Sequence, residues 1–311
     1  MSENKVKLVD KTKKAKKDKP ERKVRFIMKP REKKREFPFT DDDFLTLSDL
    51  VHQKTGIVLK NHKKDMVYGR LARRLRKLGI QSFSDYLHYL GGAKGESEIS
   101  GLINAITTNL TRFFREPHHF DHLSGMVLPE ALNAIRSGRQ DRLRIWSAGC
   151  SSGEEPYSIA MQLDRAIKER GLDGIDAKIL ATDLDTNMLE RGRKGDYQKR
   201  HFESLPEEYH NYLEEIPTQD DRLHVATELR RYISYKQLNL LGEWPMKGPF
   251  DAIFCRNVMI YFDNKDKLAL TNRLVDLLKP GGWLFIGHSE TILTAEHSLE
   301  LYGRTIYRKK S

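Results

Sequence analysis

The sequence predicts an α/β fold in which a small N-terminal all-helical domain precedes a larger domain built on a parallel sheet. Three observations carry that prediction. Residues 37–105 show only helical periodicity. From residue 143 onward, short apolar runs alternate with helical patterns, the signature of successive β-α-β units. Within them, residues 143–158 (Leu-Arg-Ile-Trp-Ser-Ala-Gly-Cys-Ser-Ser-Gly-Glu-Glu-Pro-Tyr-Ser) read as strand, glycine turn and helix, the opening unit of a nucleotide-binding sheet.

The elements follow in order. Residues 1–36 hold 16 Lys and Arg against 6 acids and few apolar residues, so they are expected to form a basic disordered tail. Thr40 is placed to cap a helix that opens with Asp41, Asp42 and Asp43; Phe44, Leu45, Leu47, Leu50 and Val51 supply its apolar stripe, and Gly56 ends it. Asn61 is placed to cap the next helix, with Met66, Leu71, Leu75 and Leu78 inward. The rest of that helix and its approach carry Lys60, Lys63, Lys64, Arg70, Arg73, Arg74, Arg76 and Lys77 against Asp65 alone. Ser82 starts a third helix ending at Gly91-Gly92, and residues 97–106 make a fourth. A segment of mixed polarity, residues 107–116, then joins the helical domain (37–115) to the larger one (116–311). Residues 116–135 are expected as one helix, and its His118, His119 and His122 as ordinary helix residues without a metal, since Cys or acidic partners at ligand spacing are missing.

Strands are expected at 143–148, 178–183, 250–255 and 283–287, with residues 301–307 closing the sheet. Helices are expected at about 156–170, at 186–193, and at 268–278, the last ended by Pro280-Gly-Gly282. Residues 195–236 break the rhythm. Their runs 223–225 and 232–235 look like the arms of a hairpin, so a small antiparallel β insertion is expected there.

The glycine turn indicates the ligand. Gly149 and Gly153 permit positive φ and let a cofactor lie against bare backbone. The spacing is Gly-x-x-x-Gly, and Glu154 and Glu155 stand where a pyrophosphate would need amide donors. Two carboxylates there disfavour phosphate and favour a cationic cofactor such as S-adenosylmethionine (AdoMet). Asp183, ending the second strand, is placed to accept from both hydroxyls of a ribose.

Composition narrows the function classes. Of the net charge of +11, the tail carries +10, so the rest of the 311 residues is nearly neutral and argues against nucleic acid. An apolar run of membrane-spanning length is not seen, and the lysine-rich start is no secretory signal. Cys150 and Cys255 form neither a disulfide framework nor a metal cluster, which fits a cytoplasmic protein.

The strings Thr107-Thr-Asn-Leu-Thr-Arg-Phe-Phe-Arg-Glu116, Ser151-Ser-Gly-Glu-Glu-Pro-Tyr-Ser158, Ala181-Thr-Asp-Leu-Asp185 and Phe250-Asp-Ala-Ile-Phe-Cys-Arg-Asn-Val-Met-Ile-Tyr-Phe-Asp263, with Gly287-His-Ser-Glu290, closely resemble the bacterial chemotaxis receptor glutamate methyltransferases, the CheR family. The likeness covers roughly residues 38–311. It implies a Rossmann-like AdoMet methyltransferase domain and methylation of glutamate side chains on the cytoplasmic helical bundle of chemoreceptors, giving glutamyl methyl esters and S-adenosylhomocysteine (AdoHcy). The resemblance further implies a cofactor site of Asn109, Thr111, Arg115, Gly149, Gly153, Glu155, Asp183, Asn239, Leu240, Asn257 and Val258. Arg115 and Tyr261 would shape the reaction centre, and Lys63, Arg70, Arg73, Arg74 and Lys77 would dock the receptor. Some members grip a receptor C-terminal pentapeptide with the antiparallel insertion. Here residues 216–221 lack the glycines of that grip, so a pentapeptide-independent enzyme is expected, and, separately, a monomer. Cys255 lacks the Pro-Cys setting of covalent methyl transfer.

Overall fold

Thr40 and Asp43 open the first helix, α1 (Asp41–Thr55), by reciprocal capping. The threonine hydroxyl accepts from the Asp43 N–H, and the Asp43 carboxylate accepts from the Thr40 N–H. Gly56 closes it in the left-handed region, at φ 76°. Phe44, Leu47 and Val51 are buried, whereas Leu45, expected in the same stripe, is 53% exposed because it lies one position off the i, i+3, i+7 line. The computed structural model in which these elements are seen describes residues 35–93, 95–217, 219–292 and 298–310. The tail expected at 1–36 therefore lies outside the described residues up to position 34, and the loop at 216–221 is described without residue 218.

Asn61 does not cap α2 (Lys64–Leu78). It starts a short 3-10 turn, Asn61–Lys63, that leads straight into the helix, and Val67, Leu71 and Leu75 point into the core. Ser82 caps α3 (Phe83–Gly91) by accepting from the Asp85 N–H, and α4 (Gly95–Ile106) follows. These helices enclose their own apolar cluster, in which the Phe39 and Phe83 rings lie 4.0 Å apart.

The single helix expected at 116–135 is α5 (Pro117–His122), a π turn at Leu123–Val127 and α6 (Leu128–Arg136). Pro129 explains the interruption: its ring would clash with the carbonyl four residues back, and widening the preceding turn relieves that.

The main sheet is built from β1 (Arg142–Ala148), β2 (Asp176–Asp183), β6 (Ile233–Gln237), β7 (Phe250–Cys255), β8 (Leu278–Ile286), β9 (Leu299–Gly303) and β10 (Ile306–Lys309), in the order β6-β2-β1-β7-β8-β10-β9. Five strands are parallel, with Ile145 beside both Ile179 of β2 and Ala252 of β7. The strand expected at 301–307 is instead the hairpin β9–β10, which adds antiparallel to β8. α7 (Glu154–Glu169), α8 (Thr186–Lys194) and α9 (Asn264–Leu277) make the crossovers. Pro280-Gly281-Gly282 lies within β8, near where its register against β7 shifts, rather than ending a helix.

The insertion is smaller than expected. β3 (Asp196–Gln198), β4 (Leu213–Glu215) and β5 (Arg222–Val225) form a three-stranded antiparallel sheet ordered β3-β5-β4. The run 232–235 is not an arm of that hairpin. It enters β6 and pairs parallel to β2, with Ile233 beside Ile179.

One apolar cluster packs α5, α6, α7 and the insertion against a face of the sheet, and another packs Trp146, Ile253, Leu270 and Leu284 against the other. Ile57 touches both this second cluster and the helical core. The helical part is thereby seated at the carboxyl ends of the parallel strands, where open α/β sheets place their ligands.

Candidate functional site

Those strand ends open into a cleft of roughly 1110 Å³ including its mouth. One wall comes from the N-terminal helical domain, with Thr55, Ile57, Leu59, Lys63 and Met66; the opposite wall comes from the loops after β1, β2, β6 and β7, and the 106–111 segment spans them.

The turn after β1 is pinned by Thr182, whose carbonyl accepts from the N–H groups of Gly149 and Cys150 at 2.8 Å each. Gly149 has φ 80°, and a Cβ there would lie 2.3 Å from Val258 Cγ2, so glycine lets the turn pack against the Val258 side chain in the cleft lining. Gly153, expected to touch the cofactor, does not line the cleft. It occupies the N-cap position of α7 at φ 99°, where a Cβ would lie 2.8 Å from Gly192 Cα and 2.9 Å from the Tyr197 hydroxyl. Its requirement for glycine comes from helix packing behind the site.

Two acids face the cleft. Asp183 Oδ2 accepts from the Ser151 N–H at 2.7 Å and Oδ1 from the Asp185 N–H at 2.9 Å, which fixes the carboxylate's plane. Burial nevertheless pushes its carboxyl up to about 6. Glu155 Oε1 accepts from the Ser147 hydroxyl at 2.7 Å, and Oε2 from Arg256 Nη1 at 3.0 Å. Burial raises this carboxyl too, against the opposing pull of Arg256. Both groups lack full compensation for their charge, so a cationic ligand fits the pair.

Arg256 is itself buried behind Glu155. It donates to the Arg115 carbonyl and lies 3.5 Å from Glu116 Oε2, and Glu116 Oε1 sits 3.0 Å from His288 Nδ1. Burial works to raise the Glu116 carboxyl, but His288 and Arg256 together bring it below the usual range. Glu116, His118 and His119 approach one another closely here. Burial and the adjacent Arg256 hold His119 down at about 3, hence neutral, and the same guanidinium opposes a metal cation.

The joining segment is locked to the sheet through Asp185, the N-cap of α8. Asp185 Oδ2 accepts from the Thr107 hydroxyl at 2.7 Å and from Asn109 Nδ2 at 2.8 Å, while the Asn109 carbonyl accepts from Ser151 at 3.3 Å. The Asn109 side chain is thus tied to Asp185 while the residue lines the cleft. Thr111 and Arg115 line the cleft as well, and Arg115 Nη1 donates back to the Leu110 carbonyl at 2.8 Å. Asn239 and Leu240 form the far end; Asn239 donates to the Lys54 carbonyl and accepts from the Leu241 N–H, both at 3.0 Å. Asn257 and Val258 enter from the loop after β7, and Tyr261 follows along the lining, where burial raises its hydroxyl.

The proposed docking cations divide. Lys63 lines the cleft, with its ammonium 5.2 Å from the centre of the Tyr261 ring. Arg70 donates to the Ile106 and Thr107 carbonyls at 2.6 and 2.7 Å and so caps α4. Arg74 is paired with Glu98, a carboxylate 4% exposed that also accepts from Tyr86. These two arginines therefore also hold the helical domain together, beside Arg73 and Lys77 along one surface depression. Lys64 pairs with Asp41, and Arg76 with Glu36, so the helix is less one-sided in charge than its own sequence suggests. Arg73 and Lys77 remain exposed.

Arg256, Asp185 and Glu290 were not singled out by the sequence reading, although each stands in a quoted string. An arginine directly after the fully buried β7 was the available signal for Arg256, since a charge at such a place needs a partner.

A parallel sheet with this glycine turn, its two acids and the cleft between them defines an AdoMet-dependent methyltransferase. Comparison with known proteins makes the class specific. Residues 42–107 match the family model described as the CheR methyltransferase all-alpha domain, and residues 109–308 match the CheR methyltransferase SAM binding domain. The chain is 43% identical over 271 residues to the chemotaxis protein methyltransferase of Escherichia coli K12, covering 86% of this chain and 91% of that protein. It is 41% identical over 275 residues to chemotaxis protein methyltransferase 2 of Pseudomonas aeruginosa, covering 88% and 94%. With that of Borreliella burgdorferi the identity is 39% over 272 residues, covering 87% and 95%. The chain belongs to the CheR methyltransferase family.

Proposed function

We propose that this enzyme methylates glutamate side chains on the cytoplasmic helical bundle of chemoreceptors, producing glutamyl methyl esters and AdoHcy. The observation that supports it best is the pair of largely buried, under-compensated acids, Asp183 and Glu155, beside bare glycine backbone in a cleft that Arg115 and Tyr261 also line.

Each part of the cleft has a task. Asp183 accepts from the ribose hydroxyls, and Asn239 and Leu240 border the base. Glu155, oriented by Ser147 and Arg256, accepts from the ammonium of the methionyl end. Asn257 and Val258 close the floor over Gly149. When bound, AdoMet supplies an electrophilic methyl on a sulfonium. A target glutamate, with an ordinary value near ~4.3, is already ionised at neutral pH, so the protein need not remove a proton. The residues align the carboxylate and exclude water. Charge is lost as the carboxylate attacks, so Arg115 must orient it without a tight ion pair, and its tether to the Leu110 carbonyl restrains it for that task. The Tyr261 hydroxyl is protonated at neutral pH, as a phenol is, and burial only raises it further, so it can donate. Arg73 and Lys77, with Lys63, Arg70 and Arg74, offer an acidic helical bundle its electrostatic approach.

Tritiated AdoMet supplied with a receptor cytoplasmic fragment should label the fragment in a base-labile form, and glutamate-to-alanine changes in the fragment should abolish that label. Label that survives mild alkali would exclude an ester.

A further inference from the structure

The string Gly287-His-Ser-Glu290 supplies no residue to the lining of the cleft. Its groups nonetheless converge on the loop that does. Glu290, 7% exposed, directs its carboxylate at three backbone amides: Oε2 accepts from Gly287 at 2.6 Å and from Asn257 at 2.8 Å, and Oε1 accepts from Ile260 at 3.3 Å. One carboxylate therefore ties the end of β8 to both ends of the turn that leads into Tyr261.

Gly287 acts on the same residue by absence. A Cβ there would lie 2.4 Å from Asn257 Nδ2 and 2.8 Å from the Asn257 backbone nitrogen, so the loop can approach β8 only over glycine. Asn257 itself stands at φ 59°, a conformation that needs support from its surroundings. The Glu290 bond to its N–H supplies that support. His288 completes the turn by holding Glu116, which backs Arg256 and through it Glu155.

We propose that the Gly287–Glu290 turn is a positioning element for methyl transfer: Gly287 admits, and Glu290 fixes, the 257–261 segment in the conformation that presents Asn257, Val258 and Tyr261 to the cleft. The inference rests on the proposed reading of that cleft as the methyl-donor site. Glu290 touches neither reactant; it acts through the loop.

The test compares the full chain with Glu290→Ala, Glu290→Gln and Gly287→Ala, by AdoHcy calorimetry, steady-state methylation and amide exchange. Glu290→Ala loses all three anchors and should weaken AdoHcy binding about 10- to 100-fold. Glu290→Gln keeps one acceptor oxygen but sets an amide donor against an N–H, so its loss should be smaller. Gly287→Ala should fall in the same direction by displacing Asn257. With AdoMet saturating, kcat should drop while the receptor KM stays near wild type, and exchange should quicken at 256–262 but not in β1 or β2. Variants that melt earlier yet keep wild-type AdoHcy affinity and kcat would overturn the proposal, because the turn would then only seal the end of β8. Should Glu290→Ala fail to fold, Glu290→Gln and Gly287→Ala decide by the same readouts. A wild-type protein that bound no AdoHcy would sink the reading of the cleft instead, and unchanged exchange at 256–262 would still overturn the anchoring.

Discussion

Asp183→Asn separates ligand recognition from folding. The carboxylate uses Oδ2 for the Ser151 N–H and Oδ1 for the Asp185 N–H, and its remaining lone pairs face the cleft. Asparagine offers one acceptor oxygen, and its amide would meet a backbone N–H. Hydrogen bonds to a charged group contribute about 1.5–3 kcal/mol each. Losing one ribose bond should therefore raise the AdoHcy dissociation constant by about 10- to 150-fold, and losing two by more. Stability should move little or upward. The folded-state value of about 6 lies above the reference 3.8, so the ionised carboxylate costs the folded protein stability. That cost is absent below roughly pH 4, grows between pH 4 and 6, and is complete above pH 6, at about 3 kcal/mol. Asparagine removes it, which offsets the disturbed backbone bonds. The assay is AdoHcy calorimetry at pH 8 and pH 5, paired with thermal melts. If the ionised form binds, only about a tenth of the free wild-type sites are ready at pH 5, so affinity should fall about tenfold from its value at pH 8. The asparagine variant lacks that component. Binding by Asp183→Asn within threefold of wild type at pH 8, or a wild-type affinity unchanged between the two pH values, would refute the reasoning.

Three other perturbations probe separate parts of the account. Arg256→Met leaves Glu155 and Glu116 buried without their shared cation, and should cost about 3–5 kcal/mol of stability in chemical denaturation, with AdoHcy affinity falling as well. Arg73→Glu with Lys77→Glu should raise the receptor KM in a salt-dependent way and leave the melting temperature near wild type, whereas Arg74→Ala should chiefly lower the melting temperature because it strands Glu98. Tyr261→Phe should reduce kcat by about tenfold with AdoHcy affinity unchanged; a loss confined to binding would mean that the hydroxyl serves the ligand rather than the reaction.

The parts of the fold written in local chemistry were legible. Thr40, Ser82, Gly56 and Gly149 set their caps and turns through short-range geometry, and the strand ending at Asp183 announces itself by an apolar run closed with an acid. What escaped depended on distant pairing. The run 232–235 looks like a hairpin arm beside 223–225, yet its partner is β2, some fifty residues earlier, and nothing local records that choice. The same holds for charges. The basic face of α2 looks unopposed within its own sequence, but Glu98, Asp41 and Glu36 reach it from other elements. Glycine, too, reads ambiguously: Gly149 and Gly153 share one turn, but only the three-dimensional neighbours show that the first borders the cleft and the second packs against Gly192. Arg256 and Glu290 had signals in their flanking sequence, a charge at the end of a buried strand and an acid after a glycine turn, but the partners that give them their roles, Glu155 and Asn257, lie 101 and 33 positions away.

The most direct measurement is a crystal structure of this protein with AdoHcy. The account predicts the ribose on Asp183, the base beside Asn239 and Leu240, the methionyl end at Glu155, and the sulfur facing Arg115 and Tyr261. AdoHcy bound outside this cleft, or within it with the sulfur turned away from those two residues, would contradict it.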